Sequence, residues 1–76
     1  MSNGIGWAVK QMQDGRRVTR TGWNGKDMWI AMARHDMQGE FTLPFAYMKT
    51  VTGDTVPWLC SQTDLFATDW IDVGEV

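Results

Sequence analysis

The chain has 76 residues, too few for more than one domain, so we expect a single domain over residues 1–76. A chain of this length buries only about 60% of its unfolded surface, and its 5 Trp, 6 Met and 3 Phe therefore predict apolar surface that meets a second copy or a ligand. The net charge of −2 argues against a dedicated DNA- or RNA-binding domain, because such domains carry a basic excess.

The N-terminal residues predict an amphipathic helix. Four apolar residues recur with the spacing of one helix face: Ile5, Ala8, Val9 and Met12. We expect Ser2 or Asn3 to cap the start of this helix. Asp14-Gly15 should end it, because glycine readily takes the left-handed conformation that follows many helices.

Two strands should follow the helix. Residues 16–20 alternate and predict a strand that leads into a turn at Asn24-Gly25. Residues 28–33 are continuously apolar, which predicts a strand covered on both faces, by the helix and by a second protomer. A helix is the alternative for this run, since Ala and Met favour helices, but its length and the preceding turn favour a strand. Residues 34–43 predict a loop or lid that ends at Pro44.

The second half of the chain predicts the remaining elements. Residues 46–50 predict a third strand and residues 55–59 an antiparallel return, in which Pro57 indicates a sheet edge or a break in the ladder. Ser61, with Asp64 three residues later, predicts the start of a short helical turn. Residues 68–73 alternate and predict a last strand. The predicted fold is α+β, with the N-terminal amphipathic helix packed on a four- to five-stranded antiparallel sheet and a short second helical turn.

The sequence gives little support for catalysis. His35 is the only imidazole, and Asp36 beside it cannot complete a metal site. A dyad of His35 with Cys60 has no local signature. The Gly-x-x-Gly sequence from Gly22 to Gly25 lacks the flanking residues of a phosphate-binding loop. We therefore expect no enzyme activity, no catalytic residue, no metal and no cofactor.

The cellular location follows from three features of the sequence. Cys60 is the only cysteine, so no internal disulfide forms, which favours a reducing cytosol. No apolar run approaches the length of a membrane span. The first residues lack the basic segment and apolar core of a secretory signal. We expect a cytoplasmic protein without a membrane partner.

Binding of a flat, anionic ligand is better supported than catalysis. Trp23 lies beside the Asn24-Gly25 turn and offers an apolar face and one N–H donor. Arg20 and Lys26 flank it and suit phosphate. The alternative is a hairpin turn whose Trp packs on the core, and the local residues alone favour that alternative.

A second cluster suits a nucleotide as well. Gln62 and Thr63 lie at a helix start, whose free N–H groups favour phosphate. Asp64 and Asp69 can accept hydrogen bonds from ribose hydroxyls. The indole of Trp70 can stack on a base, an interaction worth about 1–3 kcal/mol.

The tryptophans have an alternative role in the core. Core packing is the favoured role for Trp29 and Trp58. For Trp23 and Trp70 we weigh core packing and ligand stacking evenly.

Two sequence blocks resemble the small phage and prophage family of Thoeris anti-defence protein 2. The blocks are RTGWNGKDM at residues 20–28 and VPWLCSQTDLFATDW at residues 56–70. The family pattern is a Gly-Trp-Asn-Gly-Lys turn and a later Pro-Trp-x-x-Ser-Gln-Thr-Asp followed by Asp-Trp. The N-terminal helix that ends in Gly and the basic strand also match, so the resemblance covers nearly the whole chain. Between Arg34 and Tyr47 the chain is shorter than many members.

The resemblance implies a binding protein and not an enzyme. Members of the family act as sponges that sequester the cyclic ADP-ribose type signal of bacterial Thoeris defence, and they do so in the infected host cell. They assemble as homotetramers with the ligand held between protomers. Some members also trap the cyclic di- or trinucleotide signals of a second defence, CBASS, at a separate site.

The matching positions imply a set of ligand-binding residues: Trp23, Asn24, Lys26, Gln62, Thr63, Asp64, Asp69 and Trp70. Arg17 and Arg20 are added on electrostatic grounds alone, as a second anionic site. The alternatives to a sponge are an enzyme that degrades a cyclic nucleotide signal and an interaction module whose Trp and Met surface binds a host protein.

Overall fold

A computed structural model of the chain describes residues 3–23, 27–33 and 43–76. Its elements are α1 (Ile5–Gln13), β1 (Arg16–Arg20), β2 (Trp29–Ala33), β3 (Phe45–Lys49), β4 (Thr55–Pro57), α2 (Gln62–Leu65) and β5 (Trp70–Glu75). The strands form one antiparallel, 5-stranded sheet in the order β4-β3-β2-β1-β5. The predicted α+β fold is confirmed. The predicted loop over residues 34–43 lies outside the described residues, apart from its last residue.

The strand register gives the sheet two different faces. Val18 pairs with Ile30 on one side and with Asp72 on the other, and Ile30 pairs in turn with Met48. Residues directly opposite each other in an antiparallel pair point to the same face. Both helices contact residues of this face, which we call the helix face. The alternate residues form the outer face, which includes Thr19, Trp29, Ala31, Tyr47, Ile71 and Val73.

The core lies between α1 and the helix face. Its buried apolar residues are Ala8, Met12, Val18, Ile30, Ala67 and Trp70. Trp70, only 1% exposed, is the largest fully buried side chain of the described residues. The rings of Trp23 and Trp58 contact it in T-shaped arrangements, with centroids 5.4 and 6.0 Å away. The structure therefore assigns Trp70 to the core of the chain and agrees with the core packing expected of Trp58.

Trp29 lies on the outer face, so the prediction that it packs in the core is wrong. Its half-buried ring contacts Tyr47 in a T-shaped arrangement, with centroids 5.9 Å apart. The Arg17 guanidinium lies 5.2 Å from the same ring. Ile30, the next residue, takes the core position instead. The reason is that successive strand residues point to opposite faces, and a continuous apolar run does not reveal which face is the core.

The two ends of α1 differ in how well the sequence predicts them. The residue at the N-cap is Gly4, which forms no side-chain cap, so the predicted cap by Asn3 is wrong and Ser2 lies outside the described residues. The Asn3 side chain instead donates to the Trp70 carbonyl (3.2 Å), and the Trp70 N–H donates to the Asn3 carbonyl (3.2 Å). At the other end Gly15 has a φ of 82°, as predicted for the residue that ends the helix.

The later elements follow their local signals. β4, which carries Pro57, is an edge strand, as expected because proline cannot donate to a second neighbour. The Ser61 hydroxyl accepts from the Asp64 N–H (3.1 Å) and caps α2. β5 begins two residues later than predicted, at Trp70. In the part of the chain that the structure describes, each helix is too short and too polar to cross a membrane.

We expect alanine at Gly15 to destabilise the protein by about 1 kcal/mol, because its positive φ is unfavourable for any residue with a Cβ. Alanine at Gly6, inside α1, should instead stabilise it by about 0.5–1 kcal/mol through helix propensity. A Cβ at either position meets no atom within 4 Å, so the pair differs only in backbone conformation. Urea unfolding measures both changes, and equal effects would contradict the assigned end of α1.

Candidate functional site

The residues of the two sequence blocks meet around the indole of Trp23. A turn follows β1, in which the Trp23 N–H donates to the Arg20 carbonyl (3.2 Å). This turn packs the Trp23 ring against Trp70 on the helix face. The indole Nε1–H donates to Oδ1 of Asp64, in α2, at 3.0 Å. The turn after β1 and the start of α2 are thereby joined.

Arg20 links two carboxylates at the same place. Its Nη1 donates to Oδ1 of Asp64 at 2.7 Å, and its Nε donates to Oδ1 of Asp69 at 2.7 Å. The side chains of Arg20 and Asp64 are only 15% and 13% exposed, and that of Asp69 is 29% exposed. Shielding from water makes these ion pairs stronger than ordinary surface pairs.

Asp69 also holds the backbone of the turn. Its Oδ2 accepts from the Gly22 N–H (2.8 Å) and from the Thr21 hydroxyl (3.2 Å). A Cβ at Gly22 would lie 2.9 Å from this oxygen, so glycine is what permits the close approach. Sequence reasoning missed these roles of Thr21 and Gly22, although both lie in the first block.

The network shifts the pKa of each ionised member. Burial is the largest single influence on Asp64 and opposes its charge, but the hydrogen bonds of Arg20 and Trp23 and the nearby Ser61 hydroxyl hold its pKa below the usual value. The hydrogen bond from Arg20 is the main cause of a lowered pKa at Asp69. The two carboxylates, Asp69 foremost, raise the pKa of Arg20. All three groups are charged at neutral pH.

The remaining predicted ligand residues lie in different surroundings. Gln62 and Thr63 are exposed in α2, next to Asp64. Trp70 is buried within the single chain. Asn24 and Lys26 lie outside the described residues and stay predictions.

The structure does not bring Arg17 and Arg20 together. Arg20 lies on the helix face with its two carboxylates. Arg17 lies on the outer face, over Trp29, and its Nη2 donates to the Val73 carbonyl (2.9 Å). Residues three apart on a strand point to opposite faces. The second anionic site stays a prediction. Of its two arginines, only Arg17 lies away from Asp64 and Asp69 within one chain.

Two surface clefts lie away from this network. One, of 210 Å³, is lined by Phe45, Tyr47, Thr55, Val56 and Pro57. The other, of 200 Å³, lies beside α1 and is lined by Val9, Met12, Gln13, Met32, Pro44, Phe45, Ala46 and Trp58. Both are smaller than the ~300–1,000 Å³ typical of small-molecule pockets. Among the described residues, no group of three or more His, Cys, Asp or Glu side chains is placed to hold a metal ion.

Known proteins share this chain's pattern over most of its length. Residues 3–73 match the family model of the Thoeris anti-defense 2-like domain, Tad2-like. The chain is also similar to Thoeris anti-defense 2 of Bacillus phage SP01. The two are 31% identical over 79 residues, and the alignment covers 87% of this chain and 89% of the phage protein. Both sequence blocks that surround Trp23 fall within the matched range.

We expect Asp64→Asn to lower the free energy of unfolding at pH 7 by about 2–3 kcal/mol, because it removes charged hydrogen bonds from a shielded site. Because the pKa of Asp64 is lowered in the folded state, its charged form stabilises the protein at pH values above the ordinary pKa of Asp. This stabilisation is lost as the pH falls through the pKa of the folded state. Between about pH 5 and about pH 2, a range that spans the ordinary pKa of Asp, the free energy of unfolding should therefore fall less steeply in Asp64→Asn than in the wild type. Urea unfolding at several pH values measures this.

The control for this prediction is Asp14→Asn at the end of α1. Asp14 is 54% exposed and forms only an i,i+4 pair with Lys10 among the ion pairs of the described residues. We expect a change within about 0.5 kcal/mol. If the free energy of unfolding depends on pH in the same way in Asp64→Asn and in the wild type, the assigned role of the carboxylate is contradicted.

Proposed function

Because the chain belongs to the Thoeris anti-defense 2-like family, we propose that it is a phage anti-defence sponge. It binds a cyclic ADP-ribose type signal and sequesters it without cleaving it. It acts in the cytoplasm of the infected bacterial host, where the signal is made. The name of its phage relative supports the anti-defence role, and the site around Trp23 supports the binding role.

The observation that carries the proposal is the fixed, half-buried indole of Trp23. The ring contacts Trp70 in a T-shaped arrangement and its N–H is bonded to Asp64, while the residue keeps part of its surface in solvent. A base stacked on an indole gains about 1–3 kcal/mol. Gln62 and Thr63, exposed beside Asp64, supply polar groups at the rim. A flat nucleotide suits this combination.

We propose that a homotetramer completes the pocket. A dihedral tetramer needs two different self-complementary interfaces, and the chain exposes apolar side chains on two sides. On the outer face Ile71 and Val73 are 40% and 37% exposed. Beside α2, Leu59 and Phe66 are 90% and 76% exposed. The second surface adjoins Asp64, so a protomer that covers it adds a wall to the Trp23 site.

The mechanism of a sponge is mass action. A protein that removes a signal must bind it tightly, release it slowly and be at least as abundant as the signal. The ion pairs around Trp23 fix the site before the ligand arrives, which lowers the entropy cost of binding. No chemical step is required of any residue.

The test is a binding experiment followed by recovery of the ligand. The full chain is titrated with the purified product of a Thoeris synthase by calorimetry, then denatured by heat, and the supernatant is analysed by chromatography and mass spectrometry. We expect tight binding and intact ligand. A cleaved ligand would support an enzyme, and no binding would support a protein-interaction module.

Two variants control this experiment. Trp23→Ala should abolish binding while circular dichroism still reports a folded chain, because the half-buried ring contributes less than the about 3–5 kcal/mol of a fully buried aromatic. Lys10→Ala, in the last turn of α1, changes an exposed side chain that pairs with Asp14 and should bind like the wild type. Equal affinities of all three proteins would exclude Trp23 from the site.

Assembly is tested by light scattering after size-exclusion chromatography. The wild type should have four times the 8.7 kDa mass of the chain. Ile71→Glu and Phe66→Glu should each reduce the tetramer to a dimer, since a charge in an apolar interface is unpaired. Val51→Glu changes an exposed apolar side chain in a turn (61% exposed, between the values for Ile71 and Phe66) and should leave the mass unchanged. A monomeric wild type would contradict the tetramer.

A further inference from the structure

We propose that Arg20 is a positioning residue of the ligand site. It does not contact the ligand but, through Asp64 and Asp69, fixes the Trp23 indole on which the ligand stacks. The effect on binding rests on the function proposed above, whereas the effect on the indole can be measured without any ligand.

The first step concerns what holds the Trp23 ring. An indole has a single polar group, the Nε1–H. That group donates to Oδ1 of Asp64 (3.0 Å), and the edge contact with Trp70 supplies the other constraint. The T-shaped contact restricts the ring but carries only about 0.5–1.5 kcal/mol beyond burial. The position of the Asp64 carboxylate therefore decides the orientation of the ring.

The second step concerns what holds that carboxylate. Oδ1 of Asp64, the acceptor for Trp23, also accepts from Arg20 at 2.7 Å. The Asp64 side chain is only 13% exposed, and a shielded charge needs a counter-charge. Without Arg20 the carboxylate takes up a proton or turns toward water. Either change weakens the acceptor on which the indole depends.

The third step concerns the turn that carries Trp23. The Nε of Arg20 donates to Asp69, and the other oxygen of Asp69 accepts from the Gly22 N–H. One guanidinium thus orients both the acceptor of the ring and the backbone beside it. The planar fork of arginine makes two hydrogen bonds at a fixed angle, which a lysine ammonium on a flexible stem does not reproduce.

The charge of the cluster distinguishes positioning from anion binding. Arg20 carries one positive charge, and Asp64 and Asp69 carry two negative charges at 2.7 Å from it. The two carboxylates more than balance the charge of Arg20, so Arg20 has no unpaired charge for a phosphate. The guanidinium of Arg20 is thus committed to the protein and is not offered to a ligand.

The test compares Arg20→Lys with Arg16→Lys. Arg16 lies on the same strand and the same face, and its fork binds Asp72 at 2.8 and 3.1 Å. Each substitution removes one guanidinium fork and keeps the charge. Indole N–H signals of the ligand-free proteins are recorded by ¹H–¹⁵N NMR, with the Trp23 signal assigned from Trp23→Phe. Affinity for the Thoeris synthase product is measured by calorimetry.

We expect Arg20→Lys to shift the Trp23 indole signal and to speed its exchange with water. Its affinity should fall about tenfold or more, the equivalent of one hydrogen bond to a charged group. Arg16→Lys should leave the Trp23 signal in place and the affinity within about twofold of the wild type, a difference well under 1 kcal/mol. Urea unfolding of both variants reports any shared loss of stability.

Two outcomes would overturn the proposal. One is an unshifted Trp23 signal in Arg20→Lys. The other is an equal response to Arg16→Lys, which would mean that any lost ion pair loosens the ring. If the wild type does not bind the Thoeris synthase product at all, the proposed function fails. The NMR comparison alone then decides whether Arg20 positions Trp23.

Discussion

One carboxylate oxygen, Oδ1 of Asp64, accepts hydrogen bonds from both Arg20 and Trp23, and the rest of the site depends on it. Burial makes the charge of Asp64 costly, and the guanidinium of Arg20 offsets that cost. The same guanidinium reaches Asp69, where the last strand begins. The end of β1, the start of α2 and the start of β5 are therefore held together by charge rather than by apolar packing alone.

The arrangement suits the binding role proposed above. A fixed indole beside exposed polar groups offers a stacking surface, and the ion pairs are already formed when the ligand arrives. The apolar excess of the composition has a structural counterpart, because α1 covers one face of the sheet and leaves Ile71 and Val73 exposed on the other. A chain of this size cannot enclose all its large side chains in one core. The homotetramer proposed above would bury that surplus.

The sequence by itself determined the elements and the family. The apolar spacing of α1, the positive φ of Gly15, the edge position of Pro57 and the cap at Ser61 were all predicted, and each depends on residues within a few positions of one another. The two blocks around the Trp23 turn and the Asp-Trp pair were sufficient to indicate membership of the Thoeris anti-defense 2-like family. Local signals of this kind depend on the helix, strand or turn itself and not on the fold that contains it.

Only the tertiary structure decided which role each charged or aromatic side chain takes. Trp70 is in the core and Trp29 on the outer face, although both lie in strands. Arg20 and Asp64, read from the sequence as ligand contacts, form an ion pair across 44 positions. β1 lies between β2 and β5 in the sheet, and this order brings the two blocks together. Periodicity and turn signals act over a few residues, so they carry no information about which distant strands become neighbours.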